Sequence, residues 1–236
     1  MKFELKKTGN WSYFSIPQLE ELNITHGFFT KASPSHVLKG DGKSMFLDAF
    51  FLKDLIIMYQ EHGDRIHTIR NGERPESGDA IILLEKGVAG IIKTADCLPI
   101  IICEPDVPII SIIHAGWRGT SKRITQKTVR KMSALGVAVN KLVALLGPSI
   151  GSCCYEIRED VYNMFKQEGF TENIFRRTEH ALFLDLKKAN IEMLRNEGIE
   201  EIYDTGLCTY CDEDLFNSYR RGDRDKRQIN FVSLKG

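Results

Sequence analysis

The chain has 236 residues, long enough to bury a sizeable core in one large domain or two small ones. Its 32 basic and 32 acidic residues cancel, so no overall electric field favours nucleic acid or an anionic membrane as a partner. The first 17 residues alternate polar and apolar side chains without the apolar segment of a signal peptide, and no apolar stretch is long enough to span a bilayer. We therefore expect a cytoplasmic protein that binds neither nucleic acid nor membranes.

The first third of the chain predicts short strands separated by turn residues. Residues 2–5, 11–16 and 24–30 are β-prone runs between Gly, Asn and Pro. Residues 33–43 are polar and contain a proline and two glycines, which predicts a loop that can serve as a lid. The apolar stretch 46–59 has no clear period and cannot be divided between helix and strand.

The middle and the C-terminal third predict buried strands alternating irregularly with helices. Strands are expected at residues 88–93, 98–103, 108–113, 142–146 and 201–208. Helices that end near a glycine are expected at about 120–136, 159–168 and 185–197. Because helices and strands do not alternate strictly, the pattern favours the α+β class. No linker-like break in composition appears, so we expect a single domain over residues 1–236.

Six unevenly spaced cysteines predict reduced thiols rather than a disulfide framework. Cys208 and Cys211 form the C-x-x-C motif of the chain, and Cys153 and Cys154 are adjacent. A zinc site built on the motif needs a second pair of thiols, and adjacent side chains on an extended segment diverge. We therefore expect Cys208 and Cys211 to be structural or to line a cleft rather than to bind a metal.

Three reactive side chains stand where apolar segments end. His62 lies at a turn between two apolar runs, and Cys97 and His114 each stand at a strand end. One thiolate and two imidazoles suit Zn²⁺, and three ligands leave a fourth position open for water or substrate, as in catalytic zinc sites. A histidine or cysteine in such a position is also commonly a packed or hydrogen-bonded residue, and the spacing matches no local metal motif. Asp96, beside Cys97, can equally orient a ligand or cap a turn.

Five sequence blocks resemble, in order, the signature blocks of the bacterial family of polyphenol oxidases or multicopper-oxidase laccase-like proteins: QEHGDRI, TADCLPI, HAGWRGT, GPSIGSCCYEI and SYRRGD. Members are also described as purine nucleoside phosphorylases and as peptidoglycan editing factors. The resemblance runs from about His26 to the C-terminus. It implies a zinc site at His62, Cys97 and His114, which are also the catalytic residues, and a four-layer α/β/β/α sandwich with mixed sheets.

The activity that this resemblance implies is purine nucleoside chemistry. Adenosine, inosine and methylthioadenosine are split by phosphate into the free base and ribose 1-phosphate, with some adenosine deamination, so purine nucleosides and phosphate are the expected partners. Phosphate binding needs cations, and guanidinium groups bind phosphate bidentately. Arg118, between glycines at a helix start, is one candidate, and Arg220 and Arg221 are others. The alternatives are a carboxylate partner for Arg118 and a solvated turn for the Arg220–Arg221 pair.

Other functions are compatible with the same residues. Laccase chemistry requires a trinuclear copper cluster with many imidazoles, and the six histidines include no His-x-His pair, so we do not expect a copper oxidase, although two histidines and a cysteine can hold a single Cu²⁺. A cysteine hydrolase or deamidase would use Cys97 as nucleophile and His114 as base. A non-enzymatic alternative is a metal-binding editing factor for peptidoglycan precursors. The sequence does not indicate an oligomeric state.

Overall fold

The computed structural model describes residues 1–33, 40–70 and 72–236. The strands of this part of the chain are β1 (Glu4–Thr8), β2 (Trp11–Ser15), β3 (Ile24–Phe29), β4 (Asp54–Ile57), β5 (Ile66–Ile69), β6 (Ala80–Leu83), β7 (Val88–Thr94), β8 (Leu98–Cys103), β9 (Ile110–Ala115), β10 (Val143–Leu146), β11 (Glu156–Ile157), β12 (Phe175–Arg177), β13 (Leu182–Leu184), β14 (Glu201–Asp204) and β15 (Gln228–Leu234). The α-helices are α1 (Pro17–Glu21), α2 (Asp41–Ala49), α3 (Trp117–Ser121), α4 (Ile124–Ala134), α5 (Glu159–Gln167) and α6 (Leu186–Asn196). Within these ranges, no helix has the length and apolar character needed to cross a membrane.

The strands form two large mixed sheets and one small antiparallel sheet. The first sheet has the order β1-β2-β3-β15-β7-β4, and the second has the order β14-β10-β8-β9-β6-β5. Most neighbours are antiparallel, but β4–β7, β5–β6 and β10–β14 are parallel. The small sheet has the order β11-β13-β12.

The two large sheets stack face to face, and the central strands of the second sheet are buried on both faces. Along β8, Ile101 and Cys103 pack against the first sheet, whereas Ile100 and Ile102 pack toward α4 and α6. Side chains of a strand alternate between its two faces, so both sets must be apolar, which explains the uninterrupted run LPIIIC. The expected α/β/β/α sandwich with mixed sheets is confirmed.

The helix expected from about residue 120 to 136 is two helices. The first, α3, ends at Ser121, and Arg123 has a positive φ of 62° that interrupts the helical path before α4 begins. Ile124, Thr128 and Met132 face the second sheet along α4, as their spacing predicts. Because of the break, α3 has its own direction and starts beside the end of β9.

The outer face of the first sheet is covered by α2 through an aromatic cluster. Phe46 of this helix and Phe50, which directly follows it, have ring centroids 4.8 Å apart and contact Phe231 of β15. The loop expected at residues 33–43 is wrong for Asp41–Lys43, which begin α2. Residues 34–39 of that expected loop lie outside the described residues.

The glycine-rich segment that follows β10 is folded into a turn. The backbone N–H groups of Cys154 and Tyr155 both donate to Gly151 O, at 3.0 and 2.9 Å. As a result, the Sγ atoms of Cys153 and Cys154 lie 3.6 and 3.3 Å from Cys211 Sγ. The expectation that these adjacent cysteines diverge is wrong, because it assumed an extended segment.

The packing of side chains between the two large sheets leads to a prediction about stability. Replacing Ile101, which is fully buried there, with alanine should lower the free energy of unfolding by about 2–5 kcal/mol, because the lost side chain leaves a cavity. Denaturant unfolding measures this change. The control Leu5→Ala, at a side chain 54% exposed on an edge strand, should change stability by less than about 0.5 kcal/mol; equal losses in both variants would contradict the assignment of the core.

Candidate metal centre

His62, Cys97 and His114 converge at one edge of the second sheet. His62 lies in the loop after β4, Cys97 in the turn between β7 and β8, and His114 near the end of β9. One donor atom from each residue lies within 4.8 Å of the other two. The two imidazole rings have centroids 4.8 Å apart and are nearly perpendicular, at 79°. Three segments that are distant in sequence therefore place two nitrogen donors and one sulfur donor close together.

A fully buried carboxylate, Asp79, holds both histidines in place. It directly precedes β6, and its Oδ1 lies 2.7 Å from Nδ1 of His114. Burial raises the pKa of Asp79, but hydrogen bonds from His114 and from the backbone of Gly63 and His62 lower it below its usual range. The ionised carboxylate only accepts hydrogen bonds, so Nδ1 of His114 carries the proton. Nε2 is then the atom left free to bind a metal.

The same carboxylate fixes the turn that carries His62. The backbone N–H groups of His62 and Gly63 donate to Asp79 at 3.0 and 2.7 Å. His62 has a positive φ of 57°, a conformation that a non-glycine residue adopts at a cost and keeps only where its surroundings hold it. Asp79 provides that restraint. Asp79 was not predicted from the sequence, although a charged residue placed directly before the apolar run of β6 was a usable signal.

Two glycines of the HAGWRGT block allow close approach at the centre. A Cβ atom at Gly116 would lie 3.1 Å from Cys97 Sγ, and one at Gly119 would lie 2.7 Å from the carbonyl oxygen of Gly63. A side chain at Gly119 therefore cannot be accommodated without moving the turn that carries His62. The glycines let α3 lie directly against the turn that carries His62 and beside the thiol of Cys97.

Cys97 and His114 shift each other's ionisation. Burial raises the pKa of the Cys97 thiol, but the charge and hydrogen bond of His114, together with those of His62, lower it to about 6. Burial lowers the pKa of His114, but the Cys97 thiolate and Asp79 raise it to about 9. In the metal-free protein at neutral pH, these two residues are therefore a thiolate and an imidazolium. A cation bound here takes the place of the imidazolium proton.

The donor set fits a borderline-soft divalent metal. The thiolate of Cys97, the oriented Nε2 of His114 and the imidazole of His62 are ligands that zinc binds, and a site with three protein ligands keeps a fourth position open. The three donor residues line a cleft of about 760 Å³ whose walls also include Arg118, Arg220 and Tyr155. A small molecule in this cleft would lie against the donor residues and the arginines together.

The cleft is lined by more cations than those singled out from the sequence. Besides Arg118 and Arg220, it contains Lys93, Arg224 and Arg227. The basic residues of the run SYRRGDRDKR, residues 218–227, were a partial indication of this positive charge in the sequence. Arg118 is exposed, forms no salt bridge with the described residues, and its guanidinium lies 4.2 Å from the centroid of the Trp117 ring. Arg118 is the second residue of α3, which has five residues. Its suitability for an anion therefore rests on its side chain rather than on a helix dipole.

The structure does not bring Arg221 into the cleft. Its guanidinium donates to the carbonyl oxygens of Thr209, Tyr210 and Phe216 and pairs with Asp223 at 3.0 Å. Arg221 thus ties together the C-terminal loops.

Like Arg221, Asp96 has a structural role. Its carboxylate accepts hydrogen bonds from Thr209 Oγ1 at 2.7 Å and from the backbone N–H of Arg220 at 2.8 Å. It therefore joins the Cys97 turn to the loops after β14.

The chain resembles known proteins over most of its length. Residues 8–235 match the family described as multi-copper polyphenol oxidoreductase laccases. The chain is 39% identical over 144 residues to a purine nucleoside phosphorylase of Deinococcus radiodurans, a match that covers 61% of this chain and 56% of that protein. It is 31% identical over 185 residues to the adenosine deaminase RL5 of an unknown prokaryotic organism, covering 72% of this chain and 71% of that protein. The crystal structure of YfiH from Bacillus licheniformis superposes with a TM-score of 0.87 at 27% identity and covers 99% of both chains.

The contacts of Asp79 predict a loss of metal affinity in Asp79→Asn. The amide cannot provide the negative charge that holds His114 and the His62 turn, so zinc affinity at this centre should fall about 10–100-fold. Competition with a chromophoric chelator measures it. The control Asp64→Asn removes a surface carboxylate that pairs with Lys127, and should bind zinc as the wild type does. Unchanged affinity in Asp79→Asn would show that Asp79 does not organise the donors.

The lowered pKa of Cys97 predicts its reactivity in the metal-free protein. The thiolate is the reactive form, so alkylation of Cys97 by iodoacetamide should increase as the pH rises through about 6. Cys103, whose pKa burial raises to about 12, should stay unmodified across the neutral range. Peptide mass spectrometry of protein alkylated at a series of pH values gives both profiles. A Cys97 midpoint near that of an ordinary thiol would contradict the thiolate–imidazolium pair.

Proposed function

The chain belongs to the family of multi-copper polyphenol oxidoreductase laccases, and we propose that it is a zinc-dependent purine nucleoside enzyme. It splits adenosine, inosine and methylthioadenosine with phosphate into the free base and ribose 1-phosphate, and it deaminates adenosine. The observation that carries the proposal is the placement of the His62, Cys97 and His114 donors in the wall of a cleft that is rich in arginine. The names of the similar Deinococcus and RL5 proteins support this substrate class.

His62, Cys97 and His114 would hold the zinc ion. When bound, zinc supplies Lewis-acid chemistry to the substrate at its open position. Asp79 keeps the proton of His114 on Nδ1, so that Nε2 would be the atom that binds zinc. The thiolate of Cys97 is available at neutral pH because its pKa is about 6.

The arginines of the cleft bind and orient phosphate. In phosphorolysis a phosphate oxygen forms a bond to C1′ of the ribose, the C1′–N bond breaks, and its electron pair leaves with the purine, which takes up a proton. Arg118 and Arg220 place guanidinium groups in the cleft where they bind the phosphate oxygens during this exchange. Burial and the charge of the Cys97 thiolate raise the pKa of Tyr155, so its hydroxyl stays protonated and is available in the cleft as a hydrogen-bond donor.

Aromatic side chains in the cleft suit a purine ring. Trp117, Tyr155 and Tyr219 line its walls, and Tyr59, with 76% of its surface exposed, lies at the cleft. Flat aromatic rings stack on purines with little dependence on ring substituents. This accounts for the proposed acceptance of adenosine and inosine together.

Copper oxidation has little support in the arrangement of histidines. In the part of the chain that the structure describes, the side-chain clusters that could hold a metal include two histidines, His62 and His114. His26 is buried and accepts a hydrogen bond from Ile16 N at 2.9 Å, and His67 Nε2 lies 2.9 Å from Ser77 O. These residues do not supply the imidazoles of a trinuclear cluster, although the centre could hold one copper ion.

A metal-free cysteine hydrolase is the second candidate, favoured by the thiolate–imidazolium pair of Cys97 and His114. The two functions respond in opposite ways to a chelator. Removing the metal abolishes the proposed zinc activity, and added zinc restores it. A cysteine hydrolase is active without the metal, and zinc inhibits it by occupying the nucleophile. Inosine cleavage assayed before and after chelation distinguishes them.

The cleft arginines predict a selective effect on phosphate. Arg118→Ala and Arg220→Ala should each raise the apparent KM for phosphate about 10–100-fold, because a charge-assisted hydrogen-bonded contact contributes about 1.5–3 kcal/mol. The zinc content and the KM for inosine should change little. Steady-state kinetics at a series of phosphate concentrations measure this effect.

The control is Arg130→Ala, which removes an exposed guanidinium paired with Glu197 and should leave both KM values unchanged. Hypoxanthine release that does not depend on phosphate would sink the phosphorolysis proposal and indicate hydrolysis instead.

A further inference from the structure

Four cysteines form a second sulfur cluster outside the candidate metal centre. Cys153 and Cys154 come from the turn after β10, and Cys208 and Cys211 from the loop after β14. All four Sγ atoms lie within 4.8 Å of one another. Cys153 Sγ lies 3.6 Å from both Cys208 Sγ and Cys211 Sγ, and Cys154 Sγ lies 3.3 Å from Cys211 Sγ.

These distances match the spacing of thiolates around one ion. Four sulfurs bound tetrahedrally to zinc at about 2.3 Å are about 3.8 Å from one another. We propose that Cys153, Cys154, Cys208 and Cys211 bind one structural zinc ion, separate from the centre at His62, Cys97 and His114. Four thiolates leave no open position, and a closed tetrathiolate site is structural rather than catalytic.

The backbone around the cluster is arranged for sulfur ligands. The N–H group of Gly151 donates to Cys208 Sγ at 3.2 Å. A Cβ atom at Gly151 would lie 3.1 Å from Cys153 Sγ and 3.5 Å from Cys208 Sγ, so glycine leaves the room that the sulfurs occupy. The C-x-x-C loop is closed by Asp212, whose carboxylate accepts from Cys208 N and whose N–H donates to Cys208 O, both at 2.9 Å. Both loops are therefore formed around the sulfur positions.

Two arginines contact the backbone of the cysteine loops and place positive charge near the proposed site. Four thiolates and one Zn²⁺ carry two net negative charges. Arg176 donates to the carbonyl oxygen of Ser152, next to Cys153, at 2.9 Å. Arg221 donates to the carbonyl oxygens of Thr209 and Tyr210, between Cys208 and Cys211, at 2.9 and 3.0 Å. Arg221, which ties together the C-terminal loops, thus also holds the backbone of the C-x-x-C loop.

The proposed ion would join two loops that form one wall of the cleft. Ile150 and Tyr155, on either side of the first cysteine pair, line the cleft. Thr209, inside the C-x-x-C loop, donates to Asp96 beside Cys97. The zinc therefore crosslinks the wall of the cleft without taking part in the reaction. The inference does not depend on the proposed function, since it concerns other residues and is tested by metal content.

Metal analysis of variants tests the proposal. The purified chain, free of any affinity tag, should contain two zinc ions by mass spectrometry of the elements. Cys97→Ala and the double variant Cys208→Ser, Cys211→Ser should each keep one, and their combination should keep none. Cys103→Ala, which alters a buried thiol outside both clusters, should keep two. A double variant that loses no zinc relative to the wild type would overturn the proposal.

Cobalt substitution identifies the ligands of each ion. Loaded with Co²⁺, Cys97→Ala should show a thiolate-to-cobalt charge-transfer band about four times as intense as that of the Cys208→Ser, Cys211→Ser variant, because four thiolates bind instead of one. Equal intensities would exclude a tetrathiolate site. A failed proposed function, with no inosine cleavage, would leave these results unchanged.

Labelling of the unaltered chain covers the case in which the double variant does not fold. With zinc bound, Cys153 and Cys211, both exposed, should resist alkylation, and a chelator should make them reactive. Rapid labelling that is indifferent to the chelator would overturn the site. If the thiols become reactive only after a reductant is added, and not after a chelator, they form disulfides instead of binding a metal. This result would overturn the site as well.

Discussion

The buried contact between Asp79 and His114 is the constraint on which the candidate metal centre depends. An ionised carboxylate without solvent is costly unless it is hydrogen-bonded, and Asp79 receives bonds from His114, His62 and Gly63. Its own backbone carbonyl also accepts from His114 N at 2.7 Å. The register of β6 and β9 sets this contact, because Ala80 pairs with Ile113. A slip of one residue would turn the imidazole to the other face of the sheet.

The rest of the centre is arranged around that contact. With His114 and the His62 turn fixed, Cys97 enters from the neighbouring hairpin, where Pro99 pairs with His114. Gly116 and Gly119 then permit α3 to approach, which brings Arg118 to the cleft. The three donors, α3 and Arg118 thus depend on one supporting carboxylate, so a substitution at Asp79 should affect the position of all of them.

The sequence predicted the elements that a strong local pattern specifies. The strand at 98–103 and the helices near 159–168 and 185–197 agree with β8, α5 and α6, because each has a long periodic or continuous apolar run. The division of 46–59 between α2 and β4 was not predictable, since Phe46 and Phe50 are buried by tertiary packing that no period reveals.

For the site, strand ends and family blocks identified the three donors but not what supports them. Asp79 carries no motif, and its importance follows from the pairing of β6 with β9. Arg220 and Arg221 are adjacent in sequence, yet Arg220 lines the cleft, whereas Arg221 lies outside it and binds carbonyl oxygens of the C-terminal loops. The cysteine pairs were misjudged for a related reason, because their segment forms a turn and is not extended. The residue types were known from the sequence, but the direction in which each side chain points and the geometry of the turns were not.

The central position of β15 has a consequence for how the chain acquires this structure. This strand lies between β3 and β7, pairing Asn230 with Phe28 and Phe231 with Ile91, partners from far earlier in the chain. Closing such loops costs conformational entropy before the stabilising contacts can form, and topologies dominated by distant pairings therefore fold slowly. The β8–β9 hairpin, which brings Cys97 near His114, closes only a short loop. Assembly of the centre is therefore divided between a local hairpin and a late, long-range closure of the sheet that faces it.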